Sequence, residues 1–208
     1  MRQAFFTVLE EGQITDRRVE PANGVVFARK FITAAEIVPV TAFLALLGPA
    51  GILPGPVALV AAALCGAMLG FAPFNKPVAR VFLGDVGSLP IGLVLGWLLL
   101  RLAADGHLAA AIILPLYYLA DATITLIRRV IRHEPFWQAH RQHFYQRATD
   151  NGFAVPEIVR RVALVNVALA ALAAITVAAE ETAVSLAALA MAMAAVVWLL
   201  ATFARAAR

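Results

Sequence analysis

Residues 57–74 read VALVAAALCGAMLGFAPF, eighteen positions without one charged side chain. A helix that crosses a bilayer needs about 20 mostly apolar residues, so this stretch decides the fold: it is a membrane span. The rest of the chain agrees. Of its 208 residues, 62% are hydrophobic and 14% charged, against roughly 45–50% and about 25% in ordinary soluble domains. A soluble domain of this size could not bury so much apolar surface in one core. The composition also excludes disorder, a coiled coil and a disulfide-stapled module. The one cysteine, Cys65, falls inside the quoted run. It can form no internal disulfide and reads as a small core residue.

Working outward, the apolar runs give six spans: Ile32–Leu53, Val57–Phe74, Val86–Ala104, Leu108–Ile127, Val162–Ala179 and Ala183–Ala204. The expected fold is an all-α polytopic bundle. Its membrane domain covers 32–208, behind an N-terminal cytosolic segment at 1–31. The opening residues, MRQAFFTVLEEGQITDRRVE, turn acidic and polar where a cleavable signal would be apolar.

The charges set the orientation. Five basic residues precede the first span, two lie between the second and third, seven between the fourth and fifth, and two in the tail. The alternate turns hold only Arg101. Lys and Arg concentrate in cytoplasmic loops, so both termini and the loops 75–85 and 128–161 are expected in the cytosol. The net charge of +4 is thereby explained without nucleic acid, which is excluded as a partner.

Those two loops carry the candidate chemistry. In FNKPVARVFLGDVGSLP, residues 74–90, Asp85 stands between Gly84 and Gly87 where the third span begins. Free N–H groups at a helix start hold anions. A carboxylate beside them suits Mg²⁺, which takes one or two carboxylates plus substrate phosphates. The same residues also fit a plain capping turn with Asp85 in water.

In RRVIRHEPFWQAHRQHFYQRATDNGF, residues 128–153, a helix is expected from Gln138 to Asp150, stopped by Asn151-Gly152. On it His140, His143 and Arg147 share one face, with Arg141 and Tyr145 on the next stripe. Such a face suits a phosphate-rich ligand. It equally fits an interfacial helix with its aromatics among the headgroups. Within the spans, Asp121 is about 10 Å from the cytosolic end at 1.5 Å per residue, and ionisable residues there face a cavity or a partner. Glu36 is expected to snorkel to the headgroups, and Asn166 to bridge helices.

Three stretches together, PFNKPVARVFLGDVGS (73–88), LADATITLIRR (119–129) and FWQAHRQHFYQRATDNGF (136–153), resemble the polyprenyl-phosphate N-acetylhexosamine-1-phosphate transferases. This membrane glycosyltransferase family 4 includes the phospho-N-acetylmuramoyl-pentapeptide transferases. The resemblance implies transfer of a sugar 1-phosphate from a UDP-sugar to undecaprenyl phosphate with Mg²⁺, at the bacterial inner membrane, to start a cell-envelope glycan. It implies Asp85 as the Mg²⁺ ligand, Phe82 as the ring stacked on uracil, and His140, Arg141 and His143, with Arg147 beside them, as the diphosphate and sugar contacts. It also implies more spans than six, a paired-aspartate loop and an Asn-Asp-Gly-Asp-type motif. The place of that last motif is PANGVVFARKFITAAE, residues 21–36, which holds no Asp. The chain is therefore expected to represent the C-terminal half of such an enzyme, inactive alone and completed by a missing half or by a second copy. The alternative, from a different class, is a non-catalytic membrane protein such as an assembly partner or transporter fragment.

Overall fold

The computed structural model describes residues 20–75, 83–134, 142–179 and 181–205. Among these, all regular structure is helical: α1 Glu20–Leu46, α2 Gly55–Phe71 with a 3-10 turn Ala72–Asn75, α3 Gly84–Ala104, α4 Leu108–Ile113, α5 Leu116–Ile131, α6 Phe144–Asp150, α7 Val155–Ala179 and α8 Thr182–Phe203. α7 is central. Its buried residues Ile158, Val162, Val165, Leu169, Ala173 and Val177 recur every three or four positions, the helical period of one packed face. α1 and α8 pack most extensively on α7, and α2 packs on α1. α8 meets its neighbours through Ala188, Ala192 and Val196, small enough for backbones to approach closely.

The outer faces are apolar too. Leu59, Leu93, Trp97, Leu164, Leu186 and Trp198 are all exposed, as expected of a bundle whose solvent is hydrocarbon. Among the described residues, four helical segments are long and apolar enough to cross a membrane: Gly55–Phe74, Val86–Ala104, Val155–Ala179 and Thr182–Phe203. The protein is a multi-pass membrane helix bundle.

Several expected boundaries move. The first span is expected over Ile32–Leu53, but α1 runs Glu20–Leu46, so the helix stops seven residues earlier. The chain then turns at Gly48, where an added Cβ would lie 2.4 Å from the Ala58 Cβ, so α1 and α2 close on each other only with glycine here. The span read as Leu108–Ile127 is broken at Leu114-Pro115 into α4 and α5, because proline has no N–H to donate and clashes with the preceding turn. α3 starts at Gly84, whose φ of +57° suits a residue without Cβ. Pro90 therefore lies inside α3. The fifth span starts earlier than Val162, so Arg160 and Arg161 of the expected loop 128–161 stand on α7, where Arg161 Nη2 bonds Glu157 Oε1 at 2.6 Å.

Candidate functional site

The break at Pro115 has a structural consequence. α4 and α5, with α1 and α3, wall a cavity of about 700 Å³. Its long side follows α3 from Ser88 to Ala103, about 22 Å at 1.5 Å per residue. Leu95, Leu99, Leu108, Ile112 and Leu114 make this part apolar. The end near the start of α3 is different: Glu36, Ser88, Asp121, His143, Tyr145 and Asn166 line the same cavity. An apolar pocket with a few converging polar groups is the usual form of a ligand site.

Asp121 organises the polar end. Its side chain is buried. Oδ1 accepts the Phe144 N–H at 2.9 Å, and the Thr125 hydroxyl lies 3.4 Å from it. Oδ2 lies 3.4 Å from His143 Nδ1. His143 stacks on Tyr145, with centroids 5.7 Å apart and planes 17° from parallel. Gln146 Oε1 accepts the His143 N–H at 3.2 Å. The Arg128 guanidinium sits 4.7 Å from the centre of the Phe144 ring. The far end of α6 is tied as well, because Asn151 Nδ2 donates to the Phe203 carbonyl at 2.8 Å. The Asn151-Gly152 stop is as expected, with Gly152 at φ +95°.

The helix expected over 138–150 is shorter. It begins at Phe144, with His143 extended at φ −60°, ψ 148° as its N-terminal cap. His143 and Arg147 therefore do not share a helix face. His143 lines the cavity, and Arg147 is exposed in the last turn of α6. Asp85 lies in the first turn of α3. Phe82, His140 and Arg141 lie outside the described residues. Glu36 does not snorkel to the headgroups as expected; it lines the cavity, opposite α5. Asn166 bridges helices as expected, its Nδ2 donating to the Ala35 carbonyl at 3.3 Å. Glu36, Tyr145 and Asn166 were no part of the expected site. The signal that could have found the first and last is the rarity of acids and amides inside spans.

Among the described residues no cluster of three His, Cys, Asp or Glu forms a metal cage. Mg²⁺ does not require one, since substrate phosphates complete its shell.

Comparison with known proteins agrees with this architecture. A family model described as glycosyl transferase family 4 matches residues 31–103, most of α1 through nearly all of α3. A phospho-N-acetylmuramoyl-pentapeptide-transferase of Rhodopseudomonas palustris is 34% identical over 124 residues, covering 56% of this chain and 32% of that relative. The match thus spans about one third of the relative's length. No solved structure matches. The GDVGS start of α3 lies within the stretch matched by the glycosyl transferase family 4 model.

Proposed function

We propose that this chain carries the nucleotide-sugar side of a phosphoglycosyl transferase. In that reaction an oxygen of undecaprenyl phosphate attacks the β-phosphorus of a UDP-N-acetylhexosamine. The bond from that phosphorus to the bridging oxygen breaks, UMP leaves, and the sugar 1-phosphate remains on the lipid as a diphosphate. The observation that carries this reading is the two-ended cavity. An apolar groove along α3 suits a polyprenyl chain, and its ionisable end lies where a diphosphate would meet His143.

Phosphoryl transfer is mostly positioning and neutralisation of oxygen charge. His143 would contact the diphosphate, with His140, Arg141 and Arg147 adding positive charge and Phe82 stacking on uracil. Asp85 would hold Mg²⁺, which supplies charge neutralisation at the phosphate oxygens. The membrane path is six crossings, with α1 and the α4–α5 pair each crossing once. Both termini and the polar loops are in the cytosol, at the cytoplasmic membrane of a bacterium. The paired-aspartate and Asn-Asp-Gly-Asp-type motifs do not occur in these 208 residues. Their part would fall to another polypeptide.

Calorimetric titration of the detergent-purified chain with UDP tests this. Mg²⁺-dependent binding is expected, and Asp85→Asn should abolish that dependence. In a complete assembly the same substitution should cost on the order of 10²-fold in UMP release, the scale of losing one charge-stabilising group. A wild-type chain that binds no UDP overturns the reading and leaves a non-catalytic membrane protein.

A further inference from the structure

Asp121 stands 23 residues before Phe144 in the chain, yet both of its oxygens are spent on the segment that opens α6. A carboxylate inside a span is costly without partners. This one also shares its cavity with a second acid, Glu36, and two like charges in one low-dielectric space disfavour each other. Its burial is tolerated because donors surround it. Oδ1 takes the Phe144 N–H, a first-turn donor with no partner inside its own helix. Oδ2 faces His143 Nδ1.

We propose that Asp121 is a positioning residue, acting on the ligand only through His143. The backbone bond at Phe144 sets where the His143 Cα sits. The Oδ2–Nδ1 approach sets the rotation of the ring, and stacking on Tyr145 sets its plane. Which imidazole nitrogen meets a ligand is decided by what the other one bonds. With Nδ1 turned to Asp121, the ring meets a phosphate through Nε2. A carboxylate behind a metal-ligating histidine fixes its orientation in the same way, and losing such a partner there costs about 10–100-fold. The role rests on the transferase reading, because it takes the ligand of His143 to be a nucleotide diphosphate.

Two measurements test it. The first is ¹⁵N NMR of histidine-labelled wild-type chain, which has only four histidines and in which His143 is assigned by its loss in His143→Ala. A protonated Nδ1 on His143 is expected; a bare Nδ1 overturns the proposal whatever the variants do. The second is a double-mutant cycle on the UDP dissociation constant with Mg²⁺. Asp121→Asn is expected to weaken binding about 10-fold, and the Asp121→Asn, His143→Ala double variant to bind no more weakly than His143→Ala alone. Losses that multiply, or an Asp121→Asn chain that binds like wild type, overturn the positioning role while the transferase reading stands. Wild-type chain that binds no UDP fails the reading, and the proposal falls with it. A merely structural acid would weaken binding with or without His143 present.

Discussion

Gln142 Nε2 donates to Glu134 Oε2 at 2.7 Å, and Arg129 Nη1 lies 3.2 Å from that same oxygen. Glu134 and Gln142 thus form a neck at the foot of α5, where the Arg129 side chain is buried. The start of α6 is therefore held twice, through Gln142 by Glu134 and through His143 and Phe144 by Asp121.

Glu134→Ala should loosen that neck. It removes an acceptor from Gln142 and the carboxylate facing Arg129, a residue that is only 4% exposed. Hydrogen bonds to charged groups contribute about 1.5–3 kcal/mol each, so the expected loss is of that order. Thermal unfolding of the detergent-solubilised protein measures it, with Glu134→Gln falling between the two because it keeps a neutral acceptor. An unchanged midpoint in Glu134→Ala would mean the neck contributes nothing to the fold.

The α1–α2 turn makes a sharper stability prediction. A Cβ at Gly48 would stand 2.4 Å from the Cβ of buried Ala58. Gly48→Ala is therefore expected to destabilise by about 1–3 kcal/mol, the usual cost of overpacking. Ala58→Gly in the same chain should recover most of it, since the second substitution vacates the space the first one takes. Equal unfolding midpoints for Gly48→Ala and wild type would show that the two helices separate freely at this turn.

Much of this architecture was legible in the sequence, and the misreadings share a cause. Uninterrupted apolar runs such as 57–74 and 183–204 became helices within two or three residues of their expected ends, because hydropathy alone decides them. Pro115 sits in an equally apolar run, where an average over many residues hides one missing N–H. The start of α6 moved from Gln138 to Phe144 because His143 is extended and the Phe144 N–H goes to Asp121, a residue on another helix. No local spacing reports that. Glu36 was sent to the headgroups for the same reason, since the cavity it lines exists only once α3, α5 and α7 are assembled around it.

Orientation can be checked in cells. Sixteen of the seventeen basic residues fall on the side expected to be cytosolic, and that bias normally sets topology. In a Cys65→Ala background, single cysteines at positions 138 and 206 should resist a membrane-impermeant reagent in intact cells. A cysteine at 106, in the turn between α3 and α4, should react. Ready labelling at 138 would invert the bundle and take the histidine stretch away from cytosolic nucleotide.

The two ends of the cavity should be separable. Gly96 lines its apolar part, and a Cβ added there meets no atom within 4 Å. Gly96→Leu consequently puts a branched side chain into the groove without straining the bundle, and replaces a poor helix former by a good one. Ser88, at the polar end, is eight residues away on the same helix, about 12 Å at 1.5 Å per residue. A polyprenyl tail in the groove would lose contact area and meet the new side chain, so its affinity should fall by about 1–3 kcal/mol, or roughly 5- to 150-fold at 1.4 kcal/mol per decade. UDP binding should be unchanged. Equilibrium binding of a fluorescent polyprenyl phosphate in nanodiscs, beside calorimetry with UDP, measures both. If lipid affinity is untouched, the tail does not run along α3. If both ligands are lost together, the cavity is one indivisible site and the assignment of its two ends fails.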